Sequence, residues 1–228
     1  MMIEIVNEGL KNYYIEKHRI KEIFSKNTAP KMRLVEFKKN DLIYRDGENI
    51  DEIYFFVSGK AKVYITLKNG KSLLIGFYDR FKILGDLELT TDSPASTNVQ
   101  VLEDSLCIGI SFNEIQKNFM DDSVFLRYIC NSLSEKLRQS SNNSTINLLY
   151  PLEDRLASYI IMASKRTNDS LEFSGNLMEV SELLGTSYRH LLRTFEKFSK
   201  EKILEKRKGS FFILDEDKLR SLSADLYR

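Results

Sequence analysis

The rhythm of apolar and polar positions changes once along the chain, near Phe112. From Lys31 to about Ile110, short apolar runs alternate with turn signals at Lys39-Asn40-Asp41, Asp46-Gly47, Ser58-Gly59 and Asn69-Gly70. Short runs spaced by roughly 8–12 residues predict a sandwich or barrel-like roll of strands. Asn69-Gly70 stands between "KVYITLK" and "KSLLIGF". That placement predicts a hairpin with a type I′ turn, which needs positive φ at both central residues.

Beyond Phe112 the period becomes helical. Ser111 is placed to cap "FNEIQKNF", with Glu114 three residues on for a capping box. The segment "DDSVFLRYICNSLSEKLRQSSNNSTINLL" then runs without Gly or Pro. In it Leu126, Ile129, Cys130, Leu133 and Leu137 fall at i, i+3, i+4, i+7 and i+11, one narrow apolar stripe. A small sheet domain cannot cover so long a helix, so the stripe is expected to be the seam of a dimer rather than an intramolecular strut. It gives way to Ser140, Ser141, Asn142, Asn143 and Ser144, whose polarity calls for water, a ligand or a partner's polar groups. Pro151 opens another helix, "PLEDRLASYIIMASKR". Ile3–Phe24 is expected to be helical and an appendage to the roll.

Composition narrows the function classes. The chain has 228 residues, 42% hydrophobic and 29% charged, enough for one large or two modest cores. A net charge of +1 excludes a global drive toward nucleic acid or membrane, so any such affinity must reside in a local patch. Cys107 and Cys130 are too few for a disulfide framework and lie in apolar surroundings, where small core hydrophobes are expected. No apolar run reaches the roughly 18–20 residues of a membrane span and no signal-peptide core is visible, so a soluble cytoplasmic protein is expected. No catalytic Ser/His/Asp set, metal-ligand spacing, Walker loop or Rossmann fingerprint occurs. Neither an enzyme nor a cofactor or metal is therefore expected.

The segment "NLMEVSELLGTSYRHLLRTFEKFSKEKILEKRKGSFFIL" carries the function. Met178 to Leu184 reads as a short helix, Gly185 permits a left-handed turn residue, and Ser187 can cap a second helix to about Ser199. That is helix-turn-helix spacing. The second helix separates by face, with Arg189, Arg193 and Lys197 on one edge and Leu191, Leu192, Phe195 and Phe198 opposite. A strand pair with a basic turn at Lys206-Arg207-Lys208-Gly209 follows and reads as a wing. Between Leu177 and Lys208 there are eight basic residues against five acidic ones, and the basic groups sit where DNA phosphates would be.

A roll, a long helix and a C-terminal winged helix-turn-helix, in this order, resemble the Crp/Fnr family of bacterial transcription regulators. The likeness covers the chain from about Lys31. "FKKNDLIYRDGENIDEIYFFVSGKAKVY", with Gly47 and Gly59, looks like the opening of that family's cyclic-nucleotide-binding-type roll, and "EVSELLGTSYRHLLRTFEKF" is similar to its DNA-binding helices. The resemblance implies an α+β chain. Its parts would be a double-stranded β-helix (jelly-roll-like) sensory domain with an N-terminal helix over 1–120, a dimerisation helix over 121–149, and a winged helix-turn-helix over 150–228. The implied molecule is a homodimer that binds double-stranded DNA, works with RNA polymerase as an activator, and takes an unknown small-molecule effector, a protein partner or none. The alternative class is a nucleotide-binding regulatory module without DNA binding.

The resemblance also assigns residues. Gly85-Asp86-Leu87 corresponds to the Gly-Glu-Leu whose carboxylate holds a ribose hydroxyl in cyclic-AMP-binding members. Ser96-Thr97 stands where those members have the Arg-Ser pair that grips the cyclic phosphate. The arginine is absent, and burying an unpaired phosphodiester anion costs several kcal/mol. Ser140-Ser141 would offer hydroxyls at the adenine level. No cyclic-nucleotide gating is expected from this set. Iron–sulfur sensing is excluded by the cysteine count. Haem sensing is disfavoured because His190 belongs to the recognition helix and His18 to a solvated surface helix. Base contacts fall on Tyr188, Arg189 and Arg193, and phosphate contacts on Thr186, Ser187, Lys197, Arg207 and Lys208. Members that read a TGTGA-type half-site carry Arg-Glu where this chain has Tyr188-Arg189. A different half-site is therefore expected, because Arg suits the guanine O6/N7 edge and Glu a cytosine amine.

Overall fold

The computed structural model describes residues 2–25, 31–167, 170–207, 209–223 and 226. In chain order its elements are β1 (Ile3–Glu4), α1 (Glu8–Lys17), a 3-10 turn (Ile20–Ile23), β2 (Arg33–Phe37), β3 (Leu42–Tyr44), β4 (Glu52–Ser58), β5 (Ala61–Thr66), β6 (Ser72–Tyr78) and β7 (Lys82–Leu84). Then come α2 (Asp86–Thr91), β8 (Asn98–Val101), β9 (Ser105–Ser111), α3 (Phe112–Asn118), α4 (Ser123–Leu149) and α5 (Leu152–Ala163). The chain ends in β10 (Lys165–Thr167), β11 (Ser170–Phe173), α6 (Leu177–Leu183), α7 (Tyr188–Lys200), β12 (Leu204–Arg207), β13 (Ser210–Ile213) and α8 (Glu216–Ser223). Packing divides the chain into two units, Met1–Ile65 with Tyr78–Gln139, and Thr66–Phe77 with Ser140–Arg228.

The roll has a five-stranded sheet ordered β1-β2-β9-β4-β7 and a four-stranded sheet ordered β3-β8-β5-β6. β4 is buried along both faces, because Ile53, Phe55 and Val57 alternate with Tyr54 and Phe56. The first set joins Leu34, Ile83, Ile108 and Ile110 in a core closed by helical side chains, among them Ile15, Ile115, Phe125 and Ile129. On the other face Tyr54 meets Phe37 and Tyr44, and the Tyr44 hydroxyl donates to Glu52 O at 2.7 Å.

The N-terminal segment departs from expectation. Ile3–Glu4 extends the five-stranded sheet by pairing with β2. Arg19, at φ 51°, breaks the helix, and the 3-10 turn that follows buries Ile20 and Ile23 completely or nearly so. The segment is part of the core and no appendage. The hairpin at Asn69-Gly70 forms, but only Gly70 of the pair has positive φ. Gly70 N–H donates to Leu67 O and Leu67 N–H to Lys71 O, the pattern of a type I turn with a glycine bulge instead of type I′. The longer loop lets Asn69 cap Lys71 N–H at 3.0 Å. Ser111 caps α3 as expected, accepting from Glu114 N–H at 3.2 Å. α5 stops at Ala163, and Lys165–Thr167 starts a hairpin that the sequence pattern assigns to the helix.

α4 begins at a second cap. Asp122 accepts from Val124 N–H at 2.9 Å and Phe125 N–H at 3.4 Å, and also from Ser25 N–H at 2.8 Å. These amide donors hold its carboxyl below the usual range despite desolvation. Along α4 the apolar stripe splits. Ile129 is buried in the roll core, so it is not available to a seam, while Cys130 is exposed and Leu137 is 74% exposed. Leu126 and Leu133 lie between these extremes, partly packed on the core. Cys130 is therefore a surface thiol, contrary to its apolar sequence neighbourhood. Cys107, in β9, is fully buried and its thiol is pushed up by desolvation.

Candidate nucleic-acid interface and ligand cradle

The second unit builds the reading head around α7. Its sheet is ordered β10-β11-β13-β12. Phe195 of α7 packs on Phe211 with ring centroids 4.4 Å apart and stacks on Phe173 at 6.2 Å. Leu191 and Phe198 are fully buried beside them. This apolar face fixes the helix from behind, which is what the i, i+4 and i+7 spacing of these residues encodes.

The turn before α7 is equally determined. Asn176 caps α6 by accepting from Met178 N–H at 2.9 Å. Gly185 adopts φ +60°, and Thr186 N–H returns to Ser181 O at 2.9 Å. Ser187 Oγ accepts from His190 N–H at 3.2 Å and starts α7. Sequence reasoning missed Arg155 of α5. Its Nη1 donates to Leu184 O at 2.6 Å and its Nε to Tyr150 O at 3.2 Å, so one guanidinium ties the turn to the end of α4. An Arg in an acidic first turn, "LEDRL", was the available signal.

Tyr188, Arg189 and Arg193 are all exposed on the outer side of α7. A helical wheel turns Tyr188 toward the apolar side, yet it is 40% exposed because no preceding turn covers the first residue of the helix. Among the described residues, Arg189 and Arg193 make no ion pair. The other cations differ. Lys197 Nζ lies 2.6 Å from Glu153 Oε2, which raises its pKa. Arg207 pairs with Glu205 and lies 5.0 Å over the Phe212 ring. Thr186 is half-buried and Ser187 exposed, while Lys208 lies outside the described residues.

The cradle in the roll is closed by the chain's own groups. Gly85 adopts φ +83°, and a Cβ there would lie 2.8 Å from the Tyr44 hydroxyl, so only glycine fits. Asp86 is 1% exposed. Its Oδ2 accepts from Ser132 Oγ at 2.8 Å, and its Oδ1 takes Lys136 Nζ, which also donates to Ile83 O at 2.9 Å. Ser96 donates from Oγ (2.9 Å) and N–H (3.1 Å) to Oε1 of the buried Glu88. A carboxylate thus stands beside the residue that the resemblance placed at a phosphate. Leu87 is exposed and Thr97 half-buried. Ser140 lines a different cleft of about 360 Å³ in the second unit, with Leu73, Ile75, Asn143 and Leu148 among its walls. Ser141 is exposed, and its carbonyl accepts from Thr145 Oγ1. His18 is half-buried rather than solvated, stacked on Phe81 at 4.7 Å with Nε2 3.2 Å from Val57 O.

Among the described residues no group of three His, Cys, Asp or Glu could hold a metal, and no helix is long and apolar enough to cross a membrane.

The family model for the cyclic nucleotide-binding domain matches residues 34–122, and that for the Crp-like helix-turn-helix domain matches residues 154–222. The regulatory protein YeiL of Escherichia coli O157:H7 is 28% identical over 206 residues, 90% of this chain and 92% of that protein. The transcriptional activator protein Anr of Pseudomonas protegens is 21% identical, over 82% of this chain and 78% of its own length. A CRP/FNR-family transcriptional regulator from Thermus thermophilus shares the fold, with a TM-score of 0.68 at 16% identity over 85% of this chain and 99% of that one. With a cyclic-nucleotide-type roll and a Crp-like reading head in one order along one chain, this protein belongs to the Crp/Fnr family of DNA-binding transcription regulators.

Proposed function

We propose that the protein is a homodimeric, sequence-specific regulator that acts at promoters in the cytoplasm, with RNA polymerase as its partner and without cyclic-AMP gating. The observation that carries this reading is a pair of exposed guanidiniums, Arg189 and Arg193, with no ion pair among the described residues, on a helix whose opposite face is fixed by Phe195 and Phe198. Guanidinium forks match the O6/N7 edge of guanine. Thr186, Ser187, Lys197 and Arg207 position the helix on phosphates, Lys197 and Arg207 by exchanging a carboxylate for a phosphate. Leu126, Cys130, Leu133 and Leu137 recur at steps of four, three and four, the spacing of a coiled-coil seam. A two-fold dimer places its two reading helices in successive major grooves about 34 Å apart.

The closed cradle supports the absence of cyclic-AMP gating. A cyclic nucleotide would have to displace Lys136 from Asp86 and set its phosphate beside Glu88.

Selection of duplexes from a random-sequence pool tests the reading. The purified protein should enrich a palindromic site that it prefers over scrambled DNA, and Arg193→Ala should lose that preference. Enrichment of no sequence, or equal loss by Arg193→Ala on selected and scrambled DNA, would defeat it.

A further inference from the structure

The buried carboxylate of Asp86 has both oxygens committed to α4. Ser132 Oγ holds one at 2.8 Å and the Lys136 ammonium holds the other. The same ammonium donates to Ile83 O at 2.9 Å, and one residue back Glu135 pairs with Lys82 at 3.0 Å. Three positions within about one helical turn, 132, 135 and 136, are therefore fastened to the β7–α2 corner. Two turns earlier Phe125 and Ile129 bury into the roll core. Positions 125, 129, 132 and 136 step by four, three and four, so they form one face of α4.

The seam residues 126, 130, 133 and 137 are each one residue further along, a rotation of about 100° around the helix axis. The apolar contacts alone do not fix that rotation, because Leu126 and Leu133 also touch the core. A helix turned by one residue would bury Leu126, Cys130 and Leu133 and expose Phe125 and Ile129 in their place. Such a turn would carry Lys136 away from Asp86 and leave a buried carboxylate without its cation, a strongly unfavourable state. The ion pair is thus the term that distinguishes the two settings.

We propose that Lys136 is a built-in ligand of the roll: its ammonium fills the cradle that a diffusible effector would fill, and it sets α4 in the rotation that presents the seam to a second copy. This rests on the homodimeric DNA-binding reading above and adds its regulation. The regulator assembles without an effector because it carries its own. Lys136 is a positioning residue that touches neither DNA nor the partner copy.

The test is chemical rescue. Lys136→Ala removes three methylenes and the ammonium, the equivalent of propylammonium, and leaves Asp86 lining the vacated space. The full-length variant is compared with the parent by sedimentation equilibrium and by binding to a selected two-half-site duplex. Each measurement is made with millimolar propylammonium chloride and with sodium chloride at equal ionic strength. The dimer and duplex affinities of Lys136→Ala should fall by on the order of tenfold or more, as expected for an orphaned buried charge. Propylammonium, and not sodium, should restore both. Leu137→Lys, which damages the seam directly, should show a loss that the amine does not restore. Should Lys136→Ala fold poorly, its melting temperature carries the same amine-dependent readout, and Lys136→Gln repeats the assay without a cavity. A Lys136→Ala protein that dimerises like the parent, or one that is impaired and unmoved by the amine, overturns the proposal. A parent that binds no duplex overturns the DNA reading alone, since dimerisation and its rescue remain measurable.

Discussion

Arg193 and Lys197 sit one turn apart on the same edge of α7, yet their charges are in different states. Arg193 has no acidic partner among the described residues, whereas Lys197 holds Glu153 at 2.6 Å. A bidentate Arg–guanine contact discriminates by about 1–3 kcal/mol, so Arg193→Ala should reduce affinity for the selected site by that amount and leave scrambled DNA nearly unaffected. Glu153→Gln should act differently. It frees Lys197 for phosphate and removes a nearby negative charge, so binding to all sequences should tighten at low salt and converge on the parent at high salt. Fluorescence anisotropy on both duplexes across a salt series separates the two behaviours. The thiols give a further contrast. In the Leu137→Lys monomer Cys130 is exposed and should react with a maleimide, more slowly in the parent where the proposed seam covers it. Cys107, buried with its thiolate disfavoured, should react only on unfolding. Mass spectrometry of the labelled chain should find one adduct, on Cys130. At this scale the sequence identified the exposed edge of α7 by helical spacing, but it could not reveal Lys136 on Asp86 or Arg155 on Leu184 O. Those pairs join residues 50 and 29 positions apart, and no local period encodes them.

Among the elements, the ones whose signals were local and redundant were legible. α7 has an N-cap, two segregated faces and a preceding glycine, and it spans Tyr188–Lys200 with Ser187 as its cap. The capping hydroxyl is worth about 1 kcal/mol, so Ser187→Ala should lower the stability of the second unit by that amount and Ser187→Asp should retain it. Chemical denaturation followed by far-UV circular dichroism measures both. Elements whose conformation depends on distant partners were not legible. β1 exists because Ile3 and Glu4 find the edge of β2, and β10 because Lys165–Thr167 pairs with β11. Neither run has the length or alternation that marks a strand by itself. α4 shows the intermediate case. Its extent follows from an uninterrupted helical pattern, but its stripe mixed two faces, since residues one apart on a narrow stripe can serve the roll or the seam. Leu137, 74% exposed, is the proposed seam residue least packed on the core. Leu137→Lys should shift the protein toward monomer in sedimentation equilibrium and abolish the concentration dependence of its melting temperature, with no loss beyond that of the dimer contact.

For the whole molecule the question is what could couple a small effector to DNA. A ligand shifts an equilibrium only by its differential affinity for the two states, and one that does not bind shifts nothing. The family's fold supplies the frame of a cyclic-nucleotide site here, down to the left-handed Gly85 beneath the Tyr44 hydroxyl. Its electrostatics have been inverted. Asp86 and Glu88 are buried carboxylates, and the cation in reach, Lys136, is already held by Asp86 and Ile83 O. An incoming cyclic phosphate would be desolvated beside Glu88 without an opposing charge, a cost of several kcal/mol that the base and sugar contacts would have to exceed. Supplying the missing arginine alone should not suffice. In Ser96→Arg the new guanidinium meets Glu88 first and pairs with it, leaving Asp86 still occupied by Lys136. Millimolar cyclic AMP should therefore leave the duplex affinity of both the parent and Ser96→Arg unchanged, with no binding heat in isothermal titration. The triple change Ser96→Arg, Glu88→Gln, Lys136→Met frees Asp86 and removes the opposing carboxylate, and it is the variant in which heat should first appear. Micromolar cyclic-AMP binding by the parent would show instead that the Lys136–Asp86 pair opens readily and that the cradle accepts a cyclic nucleotide.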